Sequence, residues 1–421
     1  MSKYSRNIGF VSTRFAGTDG VSLETNKWAQ TLENLGHEPF FFAGESDHPE
    51  ERTHLVPEAH FNHPEILSIT CDLFDDYVRS SECSGKIQRL RFHLKKEVYQ
   101  FVNRFDIDIL IVENALSLPM NVPLGLALSE YIAETNIPTI AHHHDFTWER
   151  RRYSMNAAQD YLSAAFPPML PSIRHVVINS FAGRQLALRT GASSTLVPNV
   201  MDFENPPSPP DEYSADLREA LGIFPEQNFL LQPTRIVPRK RIELAIELTR
   251  RLDPDCVLVI THMAGDEGSA YLRYLRDYAE ILRVRVIFGS QYVNHKRAAH
   301  ANGHKVYSLK DAYQRANLIT YPSTIEGFGN AFLETIYYKR PIVMSRYEIF
   351  KTDIKPKGFK VIGFDDFIED ETVQQAREVL DDSTLAEEIT EHNYNIGKRH
   401  YSFRNLETQL ATLILQSGVY K

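Results

Sequence analysis

Short β-branched apolar runs alternate with amphipathic helical stretches almost from one end of this chain to the other. That alternation limits the fold more than any other feature. Apolar runs lie at Ile8–Val11, Pro39–Ala43, Ile109–Val112, Thr139–Ala141, Val176–Ile178 and Leu196–Val197. Stretches with helical spacing lie between them, at Val21–Leu35, Ile87–Phe105, Leu124–Ala133 and Ala182–Arg189. Strand, helix and strand in repetition predict right-handed βαβ units and a parallel sheet covered on both faces. A second series begins at Phe229–Leu231 and continues through Val257–Ile260, Val286–Phe288, Leu318–Thr320 and Ile342–Met344. Its helices are expected at Ile242–Leu252, Ala270–Leu282 and Asn330–Tyr338.

The two series are separated by Pro198–Pro210, which carries five prolines in thirteen residues. Such a stretch forms neither a helix nor a central strand and reads as an extended linker. With 421 residues the chain is too long for one core. The expected class is α/β, with two Rossmann-like, doubly wound parallel-sheet domains facing across a cleft. Residues 1–200 form the first domain and 201–399 the second. The last helix, about 400–421, has no strand after it and is expected to complete the first domain. Ligands of such sheets bind outside the carboxyl ends of the strands.

Composition removes several function classes. The net charge of −9 disfavours a dedicated nucleic-acid binder, since neutralising phosphates needs a basic surface. No apolar run approaches the roughly 20 residues of a membrane span. The short polar segment Met1–Asn7 has no apolar core of a signal peptide. Three scattered cysteines, Cys71, Cys83 and Cys256, fit a reducing compartment. A cytoplasmic location is expected.

The strongest chemical pattern is Pro322–Glu334, with Glu326, Gly327, Phe328, Gly329 and Asn330 between a strand and a helix. The start of a helix offers unpaired N–H groups and partial positive charge to an anion. Glycines on both sides of Phe328 let the main chain come close to a phosphate. Glu326 in the loop and Glu334 two turns down the helix can each accept from sugar hydroxyls. A capped helix carrying two ordinary acids is the competing account. A second pattern, Gln232–Arg241, sets Arg235, Arg239, Lys240 and Arg241 at another βα turn of the same sheet. Four cations there suit a diphosphate, against the alternative of a solvated basic turn. A third, Ala16–Ser22, is a glycine-bounded turn that lacks the third glycine of a dinucleotide fingerprint.

Together these residues resemble the retaining glycosyltransferases of family four, whose fold is GT-B, over nearly the whole chain. Glu326-x7-Glu334 resembles that family's E-x7-E signature, and Arg235 with Lys240 its paired diphosphate cations. Gly17–Gly20 resembles its N-terminal glycine loop. Pro198-Asn-Val-Met-Asp202 resembles the start of its linker, without the family's glycine. The resemblance also implies a histidine past a Pro-initiated strand. Within Pro138–Asp145, His144 fits that spacing best, and His142 and His143 stay open as alternatives.

On this resemblance His144, Glu326, Arg235 and Lys240 are the expected catalytic set. Gly17, Gly20, Arg235, Lys240, Gly327, Phe328, Gly329, Asn330, Glu334 and Leu309 are expected to hold the nucleotide sugar, with the base near Gly289–Tyr292 and Tyr307–Leu309. Asp19, Asn114, Asp145, Arg150 and Arg151 are expected on the acceptor side, with Glu113 a further candidate for acceptor hydroxyls. The segments His142–Tyr153 and Tyr321–Glu334 resemble the mannosylglucosylglycerate synthase branch. That implies GDP-mannose in preference to UDP-glucose and a small anionic acceptor. No cofactor and no metal are required on this reading, because cations and N–H dipoles stabilise the leaving diphosphate.

Four patterns compete for other roles. Asp106-Ile-Asp108 looks like a metal-binding Asp-x-Asp but sits at the amino end of a strand. His142, His143, His144 and Asp145 suggest a zinc site, but adjacent strand residues point to opposite faces. His295, His300 and His304 read as solvated. The stripe Ile87, Leu90, Leu94, Val98, Phe101 and Phe105, flanked by basic residues, suits either a helix packed on the sheet or one lying on an anionic membrane. Packing is favoured, and the membrane alternative implies a lipid- or polysaccharide-directed transferase. An epimerase or hydrolase on the same fold, and a non-catalytic binder of sugars or nucleotide sugars, are the remaining alternatives. The oligomeric state stays open.

Overall fold

The computed structural model describes residues 5–17, 19–252, 255–263, 269–299 and 305–418. His300, His304 and Thr18 of the first glycine loop lie outside the described residues. The chain divides into two units, one of residues 1–200 with 403–421 and one of residues 201–402.

In the first unit seven strands run parallel: β1 Asn7–Val11, β2 Glu38–Ala43, β3 Thr53–Leu55, β4 Ile109–Glu113, β5 Thr139–His143, β6 Ile173–Val177 and β7 Ser194–Leu196. Their order in the sheet is β3-β2-β1-β4-β5-β6-β7. The chain winds outward from β1 in one direction and from β4 in the other, so the connections leaving these two paired strands at their carboxyl ends run in opposite directions. Strands β4 and β5 are buried along their whole length, as strands covered on both faces must be.

The basic stripe helix is Ser81–Phe105. Ile87, Leu90, Leu94, Val98 and Phe101 are buried in it, and Phe105 packs partly buried against the same side of the sheet. Its charges pair across the surface, Arg91 with Glu130 at 2.7 Å and Lys95 with Glu134 at 2.7 Å. The apolar stripe is therefore used inside the unit and is not offered to a membrane. No helix among the described residues is long and apolar enough to cross a membrane.

The helix Phe403–Gln416 belongs to this first unit. Leu406, Leu410 and Leu413 enter the core made by β1, β4 and the helix Gly20–Asn34.

The second unit holds β8 Asn228–Gln232, β9 Cys256–Ile260, β10 Val286–Phe288, β11 Val293–Asn294, β12 Ala298–Ala299, β13 Lys305–Ser308, β14 Leu318–Tyr321, β15 Ile342–Ser345 and β16 Ile362–Phe364. Six of these form a parallel sheet ordered β10-β9-β8-β14-β15-β16, and β11, β13 and β12 form a small separate ladder. Here the strand order reverses between β8 and β14. The basic turn follows β8 and the glutamate loop follows β14, so both leave the sheet at its switch point.

Candidate functional site

Each unit carries a group of polar side chains at its own switch point. In the second unit, Lys240 closes the turn after β8 and is buried. Its ammonium pairs with the carboxylate of Glu326, and Arg239 lies 3.5 Å from the same oxygen. The two loops are also tied through their backbones. The Thr324 N–H donates to the Arg239 carbonyl at 3.1 Å, and the Arg239 guanidinium to the Ile325 carbonyl at 3.2 Å. Burial pushes the Lys240 pKa down, against the pull of Glu326. Burial pushes Glu326 up, but Lys240 and Arg239 outweigh it and hold the carboxyl below its ordinary range. Arg235 is exposed, and its side chain makes no hydrogen bond or ion pair among the described residues.

The helix Asn330–Tyr337 starts from Gly329, which has φ +117° and leaves no side chain capping the first turn. An anion is thus free to take that place. Phe328 is buried with its ring 5.2 Å from Tyr401, so only its backbone can serve a phosphate. The Tyr347 hydroxyl donates to the Phe328 carbonyl at 2.7 Å and fixes the turn. Glu334 accepts from the Tyr313 hydroxyl at 2.8 Å, and Gly327 and Asn330 are half-buried beside it in sequence. Leu309 opens the helix Leu309–Arg315, which Ser308 caps. Tyr307 is buried and donates to Asp216 at 3.0 Å.

In the first unit the histidine run separates by face. His142 is the ladder partner of Glu113, and its Nδ1 lies 2.9 Å from the Glu113 carboxylate. His144 comes to the same carboxylate through Nε2, at 3.2 Å. His143 points the other way and meets His175 at 2.9 Å. The expectation that these histidines cannot converge is thus corrected in part. Residues two apart on a strand share a face, and Glu113 from β4 completes the group. Glu113 is itself a correction, since it is fully buried and offers no acceptor-facing oxygen. Burial pushes its pKa up, but His142 and His144 hold it down at about 2. Burial lowers the pKa of His144, yet the bond to Glu113 raises it overall. Burial also lowers that of His142. The three groups bring donor atoms within 4.8 Å of one another, and the short distances among them are those of hydrogen bonds.

The other acceptor-side candidates hold local structure. Asn114, with φ 57°, accepts from the His144 N–H at 2.7 Å. Asp145 pairs with Arg150 at 2.6 Å, while Arg151 is exposed. Asp19 caps the helix Gly20–Asn34, accepting from the N–H groups of Val21 and Ser22 at 3.1 Å each. Gly17, with φ +75°, donates its N–H to Asp47 at 2.8 Å, and Gly20 is the first helical residue. Asp108 accepts from the Asn7 N–H at 3.0 Å and Asp106 ends the helix Ser81–Phe105, so the Asp-x-Asp pattern is structural.

These features agree with the comparisons with known proteins. The family model described as glycosyl transferases group 1 matches residues 214–396. The chain is 33% identical to a mannosylglucosylglycerate synthase of Thermotoga maritima, covering 97% of this chain and 99% of that protein. A mannosylglucosylglycerate synthase of Petrotoga mobilis is 32% identical over 84% of this chain and 86% of its own length. Among solved structures, a glycosyltransferase from Rickettsia africae superposes with a TM-score of 0.69 at 13% identity, covering 99% of this chain and all of that one. Its fold is that of two parallel-sheet α/β domains, as in GT-B enzymes. The chain belongs to the group 1 glycosyltransferases, aligns over 97% of its length with a mannosylglucosylglycerate synthase, and is a hexosyltransferase.

Proposed function

We propose that this enzyme moves a mannosyl group from GDP-mannose to a hydroxyl of glucosylglycerate, or of a closely similar small anionic acceptor, with retention at the anomeric carbon. The observation that carries the reading is the 33% identity along essentially the full length of a mannosylglucosylglycerate synthase. The site geometry supports it. Arg235, Arg239 and Lys240 supply cationic charge beside an uncapped helix start, the environment a leaving diphosphate needs. Glu326 holds Lys240 before the donor arrives and positions the transferred sugar, and Glu334 serves the ribose. His144 contacts a substrate sugar, and Arg150 and Arg151 attract the acceptor carboxylate. The acceptor oxygen bonds to the anomeric carbon as the sugar–phosphate bond breaks, and the acceptor proton passes to the departing phosphate. No metal is needed for this, and the enzyme works in the cytoplasm.

The test is a transfer assay with GDP-mannose and UDP-glucose against glucosylglycerate and its phosphorylated form, run with EDTA, the product anomer being read by NMR. Transfer from GDP-mannose to glucosylglycerate with the donor's configuration kept is expected. Arg235→Ala should lower the turnover about 100-fold or more, as loss of a transition-state charge partner does. Release of free mannose with no acceptor product, or strict dependence on Mg²⁺ or Mn²⁺, overturns the reading.

A further inference from the structure

Glu113 ends β4 with no exposed surface, where a carboxylate persists only if it is paired. It is paired twice, with His142 Nδ1 at 2.9 Å and His144 Nε2 at 3.2 Å. The Trp28 ring stacks on His142 at 4.1 Å between centroids and holds that ring in place. His142 Nε2 is buried with no partner among the described residues. A bare ring nitrogen is cheaper to bury there than an N–H, which assigns the His142 proton to Nδ1, facing Glu113. His144 is fixed at two points. Its backbone N–H donates to Asn114 Oδ1 at 2.7 Å, and its Nε2 faces the carboxylate. Nδ1 is the ring nitrogen of His144 with no hydrogen bond among the described residues.

We propose that Glu113 is a positioning residue: by accepting the Nε2 proton of His144 it fixes the tautomer and plane of that ring and makes Nδ1 the atom offered to substrate. The inference rests on the reading of His144 as a substrate-contacting group. Glu24 of the helix Gly20–Asn34, Asp145, His142 and His143 also act on His144, and the two acids reinforce Glu113. Together they favour the doubly protonated ring, in which Nδ1 donates to a sugar oxygen. A cation shared by Glu113, His142 and His144 would demand the opposite state, with Nε2 of His144 and Nδ1 of His142 stripped of their protons.

Long-range ¹⁵N–¹H NMR of the histidine-labelled full chain at about pH 8, with the His144 signals assigned from His144→Ala, reads the tautomer directly. A proton on Nε2 in the parent, lost from that position in Glu113→Gln, is expected. A bare Nε2 in the parent, or one equivalent of a tightly bound metal in the purified protein, overturns the proposal. In the transfer assay Glu113→Gln should lower kcat about 100-fold with little change in the donor KM. It should cost nothing further in the His144→Ala background, whereas additive losses sink the positioning role. If Glu113→Gln fails to fold, Glu113→Asp takes its place in both measurements. If the parent transfers no sugar at all, the functional reading falls while the NMR result still decides the Glu113–His144 bond.

Discussion

At Gly329 backbone conformation and chemistry coincide. Its φ of +117° is one that side-chain-bearing residues rarely adopt, and a Cβ there would stand 2.3 Å from the Tyr347 hydroxyl. The Tyr347 hydroxyl is already bonded to the Phe328 carbonyl, so it cannot give way without releasing the turn. Gly329→Ala should therefore cost about 1–3 kcal/mol of stability. It should also weaken nucleotide binding, because the turn directs the helix's first N–H groups. Urea unfolding and calorimetric titration with GDP measure the two effects. Lost stability with unchanged affinity would separate this turn from the diphosphate. The neighbouring pair Lys240 and Glu326 follows the same logic of mutual dependence, since removing either leaves the other charged and buried.

At the level of elements, β5 sends its histidines to opposite faces of the sheet and gives them opposite electrostatics. His142 and His144 meet a carboxylate, while His143 and His175 hydrogen-bond to each other. Burial holds the His143 pKa well below its ordinary value and that of His175 at about 4. Both pKa values lie below the 6.5 of the unfolded chain, so the contribution of His175 is complete above pH 6.5 and is lost as pH falls toward 4. For His175 the loss amounts to about 3 kcal/mol, at roughly 1.4 kcal/mol per pKa unit. Urea melts at pH 7.5 and pH 5 should show His175→Gln losing less stability on acidification than the parent. Equal losses would mean that the pair is not neutral when folded.

The same strand shows why the sequence was readable only in part. Ile109–Val112 and Val257–Ile260 announce buried strands by their letters, but β5 runs on past Ala141 through His142 and His143, where polar letters hide burial. Glu113 reads as an available acid, and only the register of β4 against β5 reveals it as the partner of His142. The two-residue strands β11 and β12 are too short to carry any periodicity. Glu326, Lys240 and the turn before Asn330 were legible because glycine and charge stand at strand–helix junctions, where such residues have few structural uses.

For the whole molecule the question is which functions belong to which unit. The chain passes from the first unit to the second after Val200 and returns after Ser402. Within the second unit these ends lie side by side, with the Met201 N–H donating to the Tyr401 carbonyl at 2.8 Å. The returning helix then supplies Leu406, Leu410 and Leu413 to the core of the first unit, all at most 1% exposed. Deleting the buried side chain at Leu410 should cost about 2–5 kcal/mol, the usual range for a leucine that leaves a cavity. Arg235, Arg239, Lys240, the helix start at Gly329 and Glu334 all lie in residues 201–402. Leu410→Ala should therefore lower the stability of the first unit and leave GDP affinity within about twofold of the parent, since the core that holds Leu410 contains no residue of 201–402. Chemical unfolding and GDP titration on the same variant give both numbers. An affinity that falls with stability would show that nucleotide recognition draws on the first unit as well.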